Sequence, residues 1–179
     1  MKNLLSRFIP GRILNLSLKT CAIAAVLGLS HAVPATALPA ARPAVSVKAV
    51  TVSGSATNTI TQLGFNDNGT ISIEAEQEGN LSHIGHFTGH FSYLAIPSPV
   101  SIVLLGTAEI TNDDGDRLFF SAVVVELGTG YPYTLAGTLT VTGGTGRFAG
   151  ATGAIAVSGR DTAELTDRLD FHGTLLLAR

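Results

Sequence analysis

Tryptophan is absent from this 179-residue chain and cysteine occurs once, at Cys21. A lone thiol excludes an internal disulfide framework, and with it the paired thiolates of a zinc ribbon or a thioredoxin-type redox centre. Charge is scarce as well: 13% of residues are charged, against about a quarter in ordinary soluble domains, with Lys+Arg 11 facing Asp+Glu 13. No basic stripe is present, which argues against nucleic acid as a partner. Also missing are the Gly-x-Ser-x-Gly elbow of a serine hydrolase and the Gly-Lys-Ser/Thr ending of a phosphate loop. Past Val45 hardly any stretch carries the 3.6-residue spacing of a helix. The apolar content, 45%, is ordinary and argues against disorder, and the length suits one domain.

The N-terminal region differs from the rest. Lys2, Arg7, Arg12 and Lys19 precede the apolar run Cys21 to Leu29, and small-x-small signals follow at Ser30-His31-Ala32 and Ala35-Thr36-Ala37. That layout predicts a signal peptide over residues 1–37, with cleavage after Ala32 as the alternative. The apolar run is roughly half the ~20 residues a membrane span needs, so no stable anchor is expected after cleavage. Lys19-Thr20 are not the small residues that precede a lipid-modified cysteine, so Cys21 leaves with the leader. The remaining 142 residues hold seven Lys and Arg against thirteen Asp and Glu, a formal −6 with no cysteine. A secreted or periplasmic location follows as the expectation. Residues 38–56, with Pro39 and Pro43, read as a lead-in with a possible first strand, and 57–179 as the folded domain.

Within that domain the period is two. Ile71, Ile73 and Ala75 alternate with Ser72, Glu74 and Glu76; Leu135, Gly137, Leu139 and Val141 alternate with Ala136 and threonines; Leu169, Phe171, Gly173, Leu175 and Leu177 alternate with Asp170, His172 and Thr174. Further strands are predicted at Val45 to Val52, Thr57 to Leu63, Ser82 to Leu94, Ile102 to Thr111, Leu118 to Leu127 and Ala154 to Arg160. Turns are expected at Asn66 to Gly69, Glu78-Gly79-Asn80, Pro97-Ser98-Pro99, Asn112 to Gly115, Gly128-Thr129-Gly130 and Gly143-Gly144. Many short strands at near-regular spacing imply an all-β sandwich or barrel. A barrel is favoured, because closure removes exposed edges and in-strand glycines suit tight curvature. Ile102 to Leu105 and Leu118 to Val125 are apolar on both faces, and the outer face calls for cover by a loop, by an N-terminal strand laid across it or, the favoured reading, by a second subunit.

The segment from Gly143 to Gly153 is the most distinctive. Its formal match to a dinucleotide fingerprint fails because Gly150 and Gly153 leave no room for the helix that such a site requires. The structural reading is a turn in which Gly143, Gly144, Gly146 and Gly153 allow close backbone approach, Phe148 is an apolar plug and Arg147 is solvated. The run Gly143, Gly144, Thr145, Gly146, Phe148, Ala151, Gly153 resembles the motif near the end of dirigent proteins and allene oxide cyclase-like barrels. Ser82-His83-Ile84-Gly85-His86-Phe87-Thr88 is similar to a stretch found in small secreted bacterial proteins with such barrels. The resemblance covers roughly residues 57–178 and implies one eight-stranded antiparallel barrel, often trimeric. It also implies an apolar cavity for small lipophilic or phenolic molecules, used by some members for cyclisation or isomerisation and by others to steer coupling. No catalytic residue carries over, since nothing outside the glycine-rich turn matches position by position.

Among candidate ligand-binding residues, parity places His83 on the inner face with Phe87, Phe91 and Tyr93, so His83 and Tyr93 come first. His86 and His90 would stand about 13 Å apart along a strand at ~3.3 Å per residue, too far for one ion, so no metal is expected. Asn112 to Asp116 reads as a hairpin turn, because a calcium loop placed on Gly115 would put Ile110 and Ser121 where carboxylates are required. Glu74, Glu76 and Glu78 form a solvated acidic face, and Glu109 and Glu126 are strand ends in water with the reach of a barrel mouth. No residue calls for a cofactor. Two functions remain: a barrel holding a small apolar or phenolic molecule, as carrier, template or cyclase/isomerase, or a non-catalytic envelope or extracellular module that self-associates as a dimer or trimer.

Overall fold

A computed structural model of the chain describes residues 46–128, 132–163 and 165–178. The predicted leader and residues 38–45 of the lead-in lie outside the described residues. Eight strands run in chain order: β1 (Val47–Phe65), β2 (Ile71–Leu81), β3 (Gly85–Pro97), β4 (Ser101–Asn112), β5 (Arg117–Leu127), β6 (Thr134–Gly144), β7 (Thr152–Ala163) and β8 (Thr166–Ala178). Each pairs antiparallel with the next, and β8 pairs back on β1 from Val47↔Ala178 to Thr59↔Thr166, closing the barrel. Closure leaves no edge strand among the described residues, so the ladder's N–H and C=O groups find partners within the wall.

The two-residue period sets which side chains fill the barrel. Val52, Ala75, Phe87, Phe91, Leu118, Ile155 and Leu175 are buried inside, while the intervening Thr, Ser and Glu side chains face water. At Gly137 a Cβ would lie 2.6 Å from Val124 Cα, so only glycine lets β5 and β6 press together there. With such close walls and large inward side chains, an eight-stranded barrel fills itself.

Three boundaries differ from expectation, each for a local reason. Gly143 and Gly144, expected as a turn, instead end β6, paired with Phe119 and Leu118 of β5. The strands predicted at 45–52 and 57–63 are one continuous β1, because Gly54 stays in register with both Leu81 and Phe171 and the inward alternation runs on through Ala56 and Asn58. The turn predicted at Glu78-Gly79-Asn80 sits instead at Ser82 to Ile84. Ser82 N–H donates to Ser53 O at 2.8 Å and its hydroxyl accepts from Ser53 N–H at 2.9 Å, which pulls the chain off the ladder one residue past β2.

One end of the barrel is sealed by the glycine-rich turn. A single 3-10 turn, Gly146–Phe148, drops Phe148 into the core at 1% exposure. Gly146 has φ 56, and a Cβ there would overlap the Asp116 carboxyl, so glycine is required on both counts. Arg147 is exposed, as expected, and is also tied down. Its Nη2 donates to Ile84 O at 2.6 Å, its Nε lies 3.5 Å from Asp116, and its guanidinium rests 4.8 Å from the Phe148 ring centroid. The Asn112 to Asp116 segment beside it is the expected hairpin turn: Asn112 Oδ1 accepts from the N–H groups of Asp114 and Asp116, and Gly115 has φ 82. No helix among the described residues is long and apolar enough to cross a membrane.

Candidate functional site

The opposite end of the barrel is built differently. There β5, β7 and β8 carry Glu126, Asp161 and Asp167 at inward positions, and β1 adds Asn58. Asp167 is the Cα partner of Asp161 on one side and of Asn58 on the other, so three polar side chains meet in one row where the strands elsewhere place leucine and valine. Asn58 Nδ2 donates to Asp167 Oδ2 at 2.9 Å, and Tyr133 N–H donates to Asp161 Oδ2 at 2.9 Å. Asp167 is only 7% exposed and Asn58 6%.

Buried carboxyls without a counter-charge hold their protons. Burial is the main cause that raises Glu126 to about 7, with the Asp167 and Asp161 charges adding to it. Asp167 rises to about 6, chiefly from burial, with its hydrogen bond to the neighbouring Asp161 carboxyl also raising it and the Asn58 bond opposing. Arg160 and Arg168, adjacent in sequence to these aspartates, stand on the outside of the wall. Below the carboxyls lies an enclosed cavity of about 20 Å³ bordered by Asn58, Phe91, Tyr93, Leu135, Val157 and Asp167, among others. That space holds about one water-sized group. Asn58 Oδ1 is buried beside it with no hydrogen-bond partner, as is Gln77 Nε2 on the paired residue of β2. Unpaired buried polar atoms are costly and rare, so a free acceptor at the wall of a cavity marks a place where a donor is missing.

Tyr93 is where the sequence put it. It lines the cavity, its ring 5.7 Å from that of Phe91, and burial followed by the Asp167 charge raises its hydroxyl well above the usual tyrosine value. His83 is not on the inner face. It is exposed, in the Ser82 to Ile84 turn at the sealed end with φ 64, because β3 begins only at Gly85. Glu126, read as a strand end in water, turns inward and is half-buried. Glu109, by contrast, faces outward and pairs with Arg117 at 3.1 Å. The apolar interior predicted from the resemblance is present, but its side chains nearly fill it.

The outer face of β2 and β3 gathers His86 and His90. His86 lies between Asp113 at 2.8 Å and Glu78 at 3.1 Å, and His90 between Glu74 and Glu76, both at 3.0 Å. Side-chain hydrogen bonds, from Asp113 for His86 and Glu76 for His90, raise both imidazoles above 6.5. The acidic face is thus partly neutralised by cross-strand histidines. Among the described residues no group of three or more His, Cys, Asp and Glu side chains is placed to hold a metal ion.

No family model matches the chain, and no curated protein matches it. A solved structure of the pterocarpan synthase dirigent protein is similar in fold: the TM-score is 0.51 at 12% identity, over 76% of this chain and 94% of that one. At that identity the likeness concerns the closed eight-stranded antiparallel barrel. It extends no residue role from that protein to this one.

Proposed function

We propose that the protein binds a small molecule, apolar or phenolic in body, through the polar end of its barrel. The observation that carries this reading is Asn58 Oδ1, a buried acceptor without a partner at the edge of a cavity that also borders Asp167 and Tyr93. A ligand hydroxyl or amine would supply the missing hydrogen there. The body of the ligand would rest against the half-buried rim side chains Ile60, Ile71, Tyr93 and Ile102, because the enclosed space below accepts only its head. Ligand sites are commonly apolar walls with a few convergent polar groups, and this end has that composition. A carboxyl near 7, as at Glu126, is matched to proton transfer at neutral pH, which fits a cyclase- or isomerase-like role as well as a template-like one. The leader pattern of residues 1–37 supports a secreted or periplasmic setting.

Phenol titrated into methyl-labelled protein tests the reading. The methyl signals of Leu135 and Val157 are expected to shift, with Asn58→Leu weakening binding by about tenfold, the worth of one buried hydrogen bond. Shifts confined to the outer wall, or none, reject it. Molecules released from protein purified from its native host and identified by mass spectrometry would name the physiological ligand.

A second observation favours self-association. Leu94, Leu105 and Val123 face outward and lie side by side across β3, β4 and β5, with Ile96, Val103 and Val125 forming the next row. Val123 is 53% exposed. This matches the expectation that the outer side of these strands needs cover, and a second copy of the chain presenting the same rows is the occupant we propose. Sedimentation should show a dimer or trimer at micromolar concentration that Val123→Lys converts to monomer. A wild-type monomer under those conditions refutes the interface.

A further inference from the structure

We infer that the ligand's head group at the polar end of the barrel is a protonated amine. This rests on the reading of that end as a ligand site and narrows the chemistry of what it takes. The polar atoms gathered there are almost all acceptors. Glu126, Asp161 and Asp167 bring carboxyls from three strands, and Asn58 adds a free amide oxygen. The donors are fewer: Asn58 Nδ2 is spent on Asp167 and the Tyr133 N–H on Asp161, which leaves Gln77 Nε2 on the residue paired with Asn58 and the Tyr93 hydroxyl, both neutral, against three carboxyls. No described residue lining the cavity is cationic. A hydroxyl would supply one hydrogen and no charge. An ammonium supplies three hydrogens and the missing positive charge, so it satisfies Asn58 Oδ1 and Asp167 together.

Size and surroundings agree. An ammonium head is water-sized, the dimension of the enclosed space of about 20 Å³. Phe91 and Tyr93, stacked on one another, line the same space. Carboxyls held above their ordinary values by burial mark a site that lacks a counter-ion and would gain from one.

Benzylamine and benzyl alcohol, nearly isosteric, separate the alternatives when titrated at pH 8 with Leu135 and Val157 methyl signals as readout. Benzylamine is expected to bind about tenfold or more tightly than the alcohol, in line with a charge-assisted pair against a neutral one. Asp167→Asn should remove that preference by weakening the amine. Lowering the pH to 5 should weaken the amine and spare the alcohol, because the amine stays protonated while the carboxyls take up protons. If the alcohol binds as well as the amine, or Asp167→Asn leaves the preference intact, the amine assignment is wrong while the binding site survives. Amine shifts confined to the Glu74 to Glu78 face also overturn the assignment. If neither probe moves the interior methyls, both it and the small-molecule reading fall.

Discussion

Raising the pH from 4 to 8 is expected to destabilise this barrel by roughly 3–5 kcal/mol, on a scale of about 1.4 kcal/mol per pKa unit. The two groups responsible are Asp167, raised from 3.8 to about 6, and Glu126, raised from 4.5 to about 7. Below pH 4 both carry their protons in the folded and the unfolded chain, and their contribution is fully present. Between about 4 and 7 the unfolded chain releases those protons first, so each step up in pH favours unfolding. Above about 8 both are ionised in either state and the loss is complete. Taken singly the shifts correspond to about 3 kcal/mol each, but the two carboxyls feel one another and Glu126 is partly screened by water, which lowers the sum. His86 and His90, raised above 6.5 by their carboxylate partners, act in the same direction near neutrality. Urea titrations at several pH values check this: the midpoint should fall with pH at constant slope. The double variant Asp167→Asn, Glu126→Gln should flatten most of the fall. A midpoint that holds steady or climbs over this window in the wild type would show that these carboxyls are not held protonated by the fold.

That expected cost bears on function. A domain with stability of about 5–15 kcal/mol gives up a large fraction of it by keeping the Glu126 and Asp167 carboxyls inside. Leucine or valine at Glu126, Asp161 and Asp167 would continue the alternation seen at Leu135, Val157 and Leu169 and would stabilise the barrel. Polar groups retained against that gradient are characteristic of sites that do something other than hold the chain together.

The barrel was legible because its signal is redundant. Leu135 to Val141 and Leu169 to Leu177 repeat the same alternation, and every inward position so read is inward. The glycine-rich turn was legible for a similar reason, since Phe148 is a lone large apolar residue among glycines with nowhere to go but the core. The polar-end site was not, because it depends on closure. Glu126, Asp161 and Asp167 lie on three strands, and only the pairing of β8 with β1 and β7 brings Asp167 between Asn58 and Asp161. One signal was available: each of these acids continues the inward parity of its own strand, Val124 to Glu126, Val157 to Asp161 and Leu169 back to Asp167. A carboxyl in phase with core positions is the pattern to search for. His83 was misplaced for the converse reason, parity having been extended through a turn whose cause, Ser82 bonding back to Ser53, is invisible in sequence.

Truncating the plug, Phe148→Ala, is expected to cost about 3–5 kcal/mol, as removal of a fully buried aromatic ring does. Phe148 is 1% exposed and no neighbouring strand can shift to fill the space, because the ladders on either side are locked by register. The loss extends beyond the ring. Arg147 lies across Phe148, donates to Ile84 O and reaches Asp116, so the same side chain aligns the contacts that join three hairpin turns into a cap. Arg147→Ala should therefore cost less than Phe148→Ala, since its ion pairs are partly exposed and weak, yet loosen the same end. Hydrogen exchange separates the cap from the barrel. In Phe148→Ala the amides of Leu118 and Leu175 at the sealed end should exchange far faster, while those of Leu135 and Leu169 near the carboxyls should accelerate only by the global loss of stability. Uniform acceleration at both ends would mean that the turn is no separate cap but one more part of a single cooperative core. Stability unchanged within 1 kcal/mol, the lower margin of ordinary core truncations, would mean that Phe148 does not seal the barrel at all.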